Sequence, residues 1–339
     1  MQEHIPFPKE VCIILTYRCN AKCNMCDVWH HPTKIKDEIT VEELEKLPSG
    51  LRFINITGGE PFMRRDIEEV IEVIRPKTER IVISNNGFFT DRIVKLCERY
   101  PDLGIRISTE GLQKANDDIR MIPDGFDKTL RTLLTLRRMG IKDIGFGMTV
   151  QKMNAKDLMP LYELSDALGY EFATATLHNS HYFHKLDNVI EDKETVCNEF
   201  TNLITELLRS RSIKKWFRAY FNYGLMNYIY GRERFMACEM GTESCFIDPS
   251  GDVLACNGMD TKVPMGNIKE NSFADIWNSE QAAKVRDIVK LCDKQCWMVG
   301  NAAPVMKKHI HRPLKWILKN KLRLLLGKDP ILSFDDGKS

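Results

Sequence analysis

The chain has 339 residues, 43% hydrophobic and 28% charged, and its 49 Lys and Arg against 47 Asp and Glu leave a formal net charge of +2. That balance gives no case for a nucleic-acid partner, and no apolar run approaches the ~18 residues that a spanning helix needs. A chain this long holds one large domain or two and can bury a substantial core.

The first predicted strand, 11–15, runs straight into Cys19, Cys23 and Cys26, a C-x3-C-x2-C run. Three thiolates can hold three irons of a [4Fe–4S] cube and leave the fourth iron open to an exogenous ligand. Structural zinc is the rival reading, but zinc prefers paired C-x2-C units with a second pair nearby. The opening residues are polar and proline-broken rather than an apolar signal segment, so disulfides are not expected and a cytoplasmic chain is.

Five more short apolar runs follow, at 53–57, 80–84, 104–108, 144–150 and 171–177, each bounded by turn residues. Helix starts lie between them. Thr40 with Glu43 reads as a capping box, Asp66 precedes one amphipathic run, Thr90 a second and Asn154 a third. Alternating strand and helix predicts an α/β fold with a parallel sheet, either doubly wound or a barrel.

The strand ends carry Gly58-Gly59-Glu60-Pro61, Ser84-Asn85-Asn86-Gly87 and Ser108-Thr109-Glu110-Gly111. Singly these read as turns. Together, at the carboxyl ends where α/β sheets place ligands and behind a three-thiolate run, they read as one site. Paired glycines let a backbone approach a ligand, and the next carboxylate can accept from an ammonium group.

After the sixth strand, His178, Asn179, His181, Tyr182 and His184 supply titratable and aromatic groups, as a ligand-facing or simply a solvated loop. The aromatic stretch 216–235 reads as packing. Five later cysteines, Cys238, Cys245, Cys256, Cys292 and Cys296, surround a hairpin turn at 249–252, and Ser272 with Asp275 caps a helix running towards Cys292. Cys12, Cys97 and Cys197 sit in apolar or helical contexts as ordinary buried residues. The last segment interleaves basic residues with Val305, Ile310, Leu314, Trp316, Ile317, Leu318, Leu322, Leu324, Leu325 and Leu326. It reads equally as a membrane-surface helix and as a helix docked on the domain with its basic face wet.

In combination, the cysteine run and the strand-end motifs resemble the radical S-adenosylmethionine (SAM) enzymes over roughly residues 8 to 300. The resemblance implies a partial (β/α)6 TIM-like barrel whose first [4Fe–4S] cluster is held by Cys19, Cys23 and Cys26, with SAM on the open iron. Gly58, Gly59 and Glu60 match the motif that contacts the SAM methionine amino group. Ser84, Asn85 and Asn86 fall where that family contacts the ribose or methionine part. Ser108 and Glu110 match the polar pair ending the fourth strand, and 147–150 would line the adenine. Where the family often has an aromatic residue before the third cysteine, this chain has Met25; Trp29 is a substitute or a packing residue.

The C-terminal cysteines resemble the auxiliary-cluster region called SPASM, or twitch in its shorter form. Two further cubes would need about eight ligands. Five cysteines therefore imply one auxiliary [4Fe–4S] cluster, held by Cys238, Cys256, Cys292 and Cys296 on the twitch analogy, or with Cys245 and without Cys292 on the SPASM analogy. Structural zinc stays open for these thiols. Three units follow: 1–232 as the radical SAM core with a helical extension, 233–303 as the auxiliary region and 304–339 as a basic amphipathic tail.

The implied activity is reductive cleavage of SAM to a 5′-deoxyadenosyl radical that abstracts a substrate hydrogen, for oxidation or rearrangement of a small molecule such as a sugar or lipid-linked precursor. Glu110, His178 and His181 are the pocket candidates, a flavodoxin or ferredoxin is the electron donor, and the tail gives peripheral membrane contact. A peptide-modifying maturase is the alternative enzyme, although ten residues before the first strand leave no room for a leader-peptide-binding domain. A non-catalytic iron–sulfur or zinc scaffold is the alternative without chemistry.

Overall fold

The computed structural model describes residues 5–332. Residues 1–4 of the first unit and 333–339 of the tail lie outside them. Six parallel strands, β1 (Glu10–Ile14), β2 (Phe53–Thr57), β3 (Ile81–Asn85), β4 (Gly104–Ser108), β5 (Ile144–Val150) and β6 (Glu171–Thr176), fall within a residue of the sequence expectation. Helices α1 (Val41–Leu44), α2 (Ile67–Ile74), α3 (Thr90–Arg99), α4 (Gln113–Arg120), α5 (Gly125–Arg138) and α6 (Leu158–Ala167) connect them. The strands hydrogen-bond in the order β6-β5-β4-β3-β2-β1, a partial barrel that does not close.

Period-two alternation sorts the strand residues. Ile54 and Ile56 of β2, Ile83 of β3, Ile105 and Ile107 of β4 and Phe146 and Met148 of β5 are buried under the helices. Helix α2 answers with Ile67, Val70, Ile71 and Ile74, the i, i+3, i+4, i+7 stripe of one helical face. The other strand face is polar: Ser84 donates to Asn55 at 3.1 Å, and Asn55 reaches the Cys12 sulfur at 3.6 Å.

Beyond β6, α7 (Lys193–Arg209) and α8 (Ile213–Ile229) form a hairpin. Thr174 of β6 donates to Asn222 of α8 at 2.7 Å, which pins the aromatic helix against the last barrel strand. The chain then returns to the other edge. Strand β7 (Ser244–Ile247) pairs parallel with β1, followed by antiparallel β8 (Asp252–Leu254) and β9 (Pro264–Asn267). The hairpin around 249–252 is present, and it extends the barrel sheet rather than forming a separate one.

Helices α9 (Phe273–Trp277), α10 (Glu280–Lys290), α11 (Val299–Lys308) and α12 (His311–Leu325) complete the chain. Ser272 caps only the short α9, and Ser279 starts α10 afresh, so two helices stand where one was expected. The Thr40–Glu43 capping box forms. Thr90 is the first helical residue rather than the cap, because its hydroxyl bonds Thr132 of α5 at 2.6 Å. Asp66 gives its carboxylate to Arg64, and the Asn154 side chain accepts from the Gln151 N–H at 2.8 Å, so neither makes a side-chain cap.

Candidate functional site

The loop leaving β1 carries Cys19, Cys23 and Cys26, all partly buried and free of disulfides. It is clamped from three sides. Gly59 N–H donates to the Thr16 carbonyl at 2.6 Å and Glu60 N–H to that of Arg18 at 2.9 Å. A Cβ on Gly59 would stand 2.4 Å from the Arg18 carbonyl oxygen and 2.9 Å from the Cys19 Cβ, and one on Gly58 2.7 Å from the Thr16 oxygen. The two glycines therefore admit the cysteine loop itself, a reason the sequence alone did not supply.

From the second side, the C-terminal carbonyls of α4 receive the loop: Asn24 N–H donates to Ile119 at 3.0 Å and Lys22 N–H to Arg120 at 3.3 Å. From the third, the buried Glu38 carboxylate gathers Arg18, Thr16 and Thr33. Burial pushes that carboxyl up, and the hydrogen bonds more than offset it, holding it below its ordinary range.

Burial pushes the Cys19 and Cys26 thiols up to about 12, and Cys23 upwards as well, with Cys23 adding to the rise at Cys19 and both Cys23 and Cys19 adding to it at Cys26. Among the described residues no three His, Cys, Asp or Glu side chains are grouped to hold a single metal ion. A cubane takes one thiolate per iron and spreads its ligands more widely than one tetrahedral ion. Three neighbouring thiols that resist ionisation until a cation neutralises them suit such a cluster.

Beside them lies Arg120, 8% exposed, with its Nε making no hydrogen bond. Its guanidinium donates to Glu110 at 3.0 Å and faces Cys19, Cys23 and Glu60. An unpartnered buried donor next to thiols and carboxylates suits an anionic ligand group at this point. The sequence reading missed Arg120. Its only signal was an arginine at the end of a helix whose Asn116 and Ile119 face inwards.

The strand-end residues converge on the same place. Glu60 accepts from Phe62 N–H at 2.9 Å and Asn86 N–H at 2.7 Å, and burial lifts its carboxyl to about 7. The Asn86 side chain donates to Asn20 of the cysteine loop at 2.7 Å. Asn85 turns back to accept from Gly87 N–H at 2.9 Å, and Ser84 faces Asn55, so these two shape the turn and the inner sheet face. Glu110 is held by Arg120 and by Thr149 N–H at 2.7 Å, and is therefore no free pocket acid. Ser108 ends β4 in register with Gly147, and a Cβ on Gly147 would meet nothing within 4 Å. That open space lies where an adenine was expected.

His178 and His181 flank the cysteine loop, since Asn188 donates to both the Met25 and the His178 carbonyls at 3.1 Å. His178 bonds the Thr176 carbonyl at 2.9 Å and packs on Phe183, whereas the buried ring of His181 lies against the Asn257 backbone. Burial lowers both pKa values, leaving neutral imidazoles near pH 7. The turn His181–Phe183 ties the molecule together. Tyr182 hydroxyl donates to the Gly58 carbonyl at 2.6 Å, Asp27 N–H to Phe183 at 2.8 Å, and His181 N–H to Met259 at 3.0 Å. Trp29, near the third cysteine, receives Lys22 over its ring at 5.6 Å.

The second cysteine group resolves into four and one. Burial pushes Cys256 up to about 12, with Cys238, Cys296 and Cys292 adding to the effect, and Cys296 is raised with contributions from Cys292 and Cys238. Gly258 N–H donates to the Cys256 sulfur at 3.2 Å, and Arg234 to the Cys296 carbonyl at 3.0 Å. Cys245 is elsewhere: it sits on β7 opposite Val11, buried, with Cys12 and Arg286 as its electrostatic neighbours. Strand pairing with β1 holds it inside the sheet, away from the four.

The Radical SAM superfamily pattern matches residues 13–164, and an iron–sulfur cluster-binding domain, SPASM, matches residues 238–297. The Fe-coproporphyrin III synthase of Methanosarcina barkeri is 33% identical over 158 residues, 44% of this chain and 39% of that protein. The AdoMet-dependent heme synthase of the same organism is 24% identical over 316 residues, covering 85% of this chain and 87% of that protein. Among solved structures, Streptococcus suis SuiB bound to S-adenosylmethionine superposes with a TM-score of 0.65 at 16% identity, over 86% of this chain and 73% of that one. That last likeness concerns the fold.

Proposed function

Because this chain belongs to the radical SAM superfamily and carries a C-terminal iron–sulfur cluster-binding domain, we propose that it is an oxidoreductase acting on a small organic molecule at the carboxyl end of the partial barrel. As a member it is an enzyme that uses [4Fe–4S] clusters and SAM. When bound, these supply a one-electron cleavage of SAM and a 5′-deoxyadenosyl radical that takes a hydrogen atom from the substrate.

The chain's own residues have separate tasks in this reading. Cys19, Cys23 and Cys26 hold three irons, and the Gly58-Gly59-Glu60 turn fixes their loop. Arg120 presents its free Nε to an anionic group of the ligand, with Glu110 holding its guanidinium in place. Ser108 and Gly147 leave room on the inner face for a flat ring. Cys238, Cys256, Cys292 and Cys296 hold the auxiliary cluster, and Cys245 takes no part. A flavodoxin or ferredoxin supplies the electron.

The observation that carries the reading is the packing of the three-cysteine loop against Gly58 and Gly59, with Arg120 buried beside it. The heme synthase relative, matched over most of its length, supports a small-molecule substrate. A sugar or lipid-linked precursor belongs to the same class. A Bacillus subtilis relative, the sporulation killing factor maturation protein, is 23% identical over 82% of this chain and supports a peptide substrate as the second reading. Product analysis separates the two, since the first predicts modified small molecules and the second a mass change on a peptide.

The test is anaerobic reconstitution with iron and sulfide followed by reduction in the presence of SAM. The reading expects 5′-deoxyadenosine and methionine, abolished by C23A and retained in C256A. Absence of cleavage in a preparation carrying a full complement of iron sinks it.

A further inference from the structure

Helix α12 has two faces that serve different ends. Pro313, Ile317 and Asn320 are buried, Leu324 packs inwards, and Trp316 stacks on Tyr223 of α8 with ring centroids 5.0 Å apart. These positions lie on one side of a helix of 3.6 residues per turn and account for its docking on α7 and α8. The tryptophan and several of the apolar residues that made the tail look membrane-active thus belong to the core.

The remaining leucines do not. Leu314, Leu318, Leu322 and Leu325 recur on successive turns of the side facing away from the protein, and they are 37%, 64%, 59% and 82% exposed. Leu326 continues the stripe at 64%. Arg312, Lys315, Lys319 and Arg323 border it along one edge, and no Asp or Glu occurs from Val299 to Lys328. Among the described residues nothing covers this stripe. Among the described residues no helix is long and apolar enough to cross a membrane, and α12 has only 15 residues.

We propose that the leucine stripe of α12 lies in the plane of an anionic lipid surface, holding the enzyme at a membrane by its outer face. Leucines enter the boundary between headgroups and acyl chains, while the bordering guanidinium and ammonium groups meet lipid phosphates. Charge selects this occupant over a second copy of the chain. Two such helices packed face to face would bring Arg312, Lys315 and Arg323 against their own copies, with no Asp or Glu from Val299 to Lys328 to offset them. An anionic bilayer complements every one of them. The inference stands apart from the chemistry of the barrel, since none of these residues borders the cysteine loops.

The test is flotation of the reconstituted full chain with vesicles of phosphatidylcholine alone and of phosphatidylcholine with phosphatidylglycerol. The expected result is recovery on the anionic vesicles, falling as salt is raised, and little on the neutral ones. K315Q/R323Q should weaken partitioning roughly 25-fold, about fivefold per charge, and L318Q/L322Q should abolish it, both with unchanged iron content and circular dichroism. Equal recovery on both vesicle types, or native-like recovery of L318Q/L322Q, overturns the proposal. So does a lipid-independent dimer that L318Q/L322Q dissociates, which would assign the face to a second copy, or an acidic protein partner that displaces the lipid.

Discussion

Arg120 is the residue on which the candidate site turns. It is buried with one carboxylate bonded to it, a second carboxylate and two thiols nearby, and a nitrogen left without a partner. Removing one member of a buried pair leaves the other charge uncompensated, at about 3 kcal/mol or more. R120A should therefore lower the urea-unfolding free energy of the metal-free protein by about that amount. E110Q/R120M should lose much less than the sum of its single changes, because it removes both charges; additive losses would mean the pair does not couple. Gly59 gives the complementary test through sterics. With a Cβ set 2.4 Å from the Arg18 carbonyl, G59A has to move the cysteine loop, and overpacking of this kind costs about 1–3 kcal/mol. G59A should retain far less iron than the parent after identical reconstitution and desalting, while matching iron content would show the loop indifferent to its clamp.

At the scale of elements, the turn His181–Phe183 joins the two cysteine regions through bonds to Gly58, Asp27 and Met259. Removing only the Tyr182 hydroxyl leaves the ring in place and one carbonyl bond unmade, so Y182F should cost about 1 kcal/mol, read as a shift in the urea midpoint at constant slope. The histidines beside it give a pH dependence with a definite sign. Burial lowers the His178 pKa below its ordinary 6.5 in the folded protein, so the unfolded chain binds the proton first as pH falls. Stability from this source is complete above pH 6.5 and is lost as pH drops towards the lowered folded value. H178Q should flatten the fall in unfolding free energy between neutral and mildly acidic pH, and an unchanged slope would count against a buried neutral imidazole.

The same scale shows what could be read from the chain and why the rest could not. Strands β1 to β6 were legible because each is a short apolar run between turn residues, and the capping box at Thr40 because its partners are three residues apart. The strand-end motifs were legible as a group because a parallel sheet delivers every carboxyl end to one rim. Long-range pairings were not legible. Nothing local in Ser244–Ile247 says that it joins β1, and that pairing sets Cys245 opposite Val11 inside the sheet. Thr90 looked like a cap until Thr132 on α5 took its hydroxyl. Glu110 looked like a pocket acid, and only the return of α4 beside it shows that Arg120 claims it.

For the whole molecule, a single sheet runs from β6 through the barrel to β9, so the cysteine loop after β1 and the four C-terminal cysteines are carried on one continuous scaffold. The central claim is that these are two separate cluster sites, the first of which opens onto SAM. Iron analysis with electron paramagnetic resonance of the reduced protein tests it most directly, each variant being titrated with SAM. The account predicts about eight irons per chain, four per cube, with C256A keeping about four and a signal that SAM perturbs, and C23A keeping a signal that SAM leaves unchanged. About four irons in the unaltered protein, or a SAM-sensitive signal surviving in C23A, would contradict it.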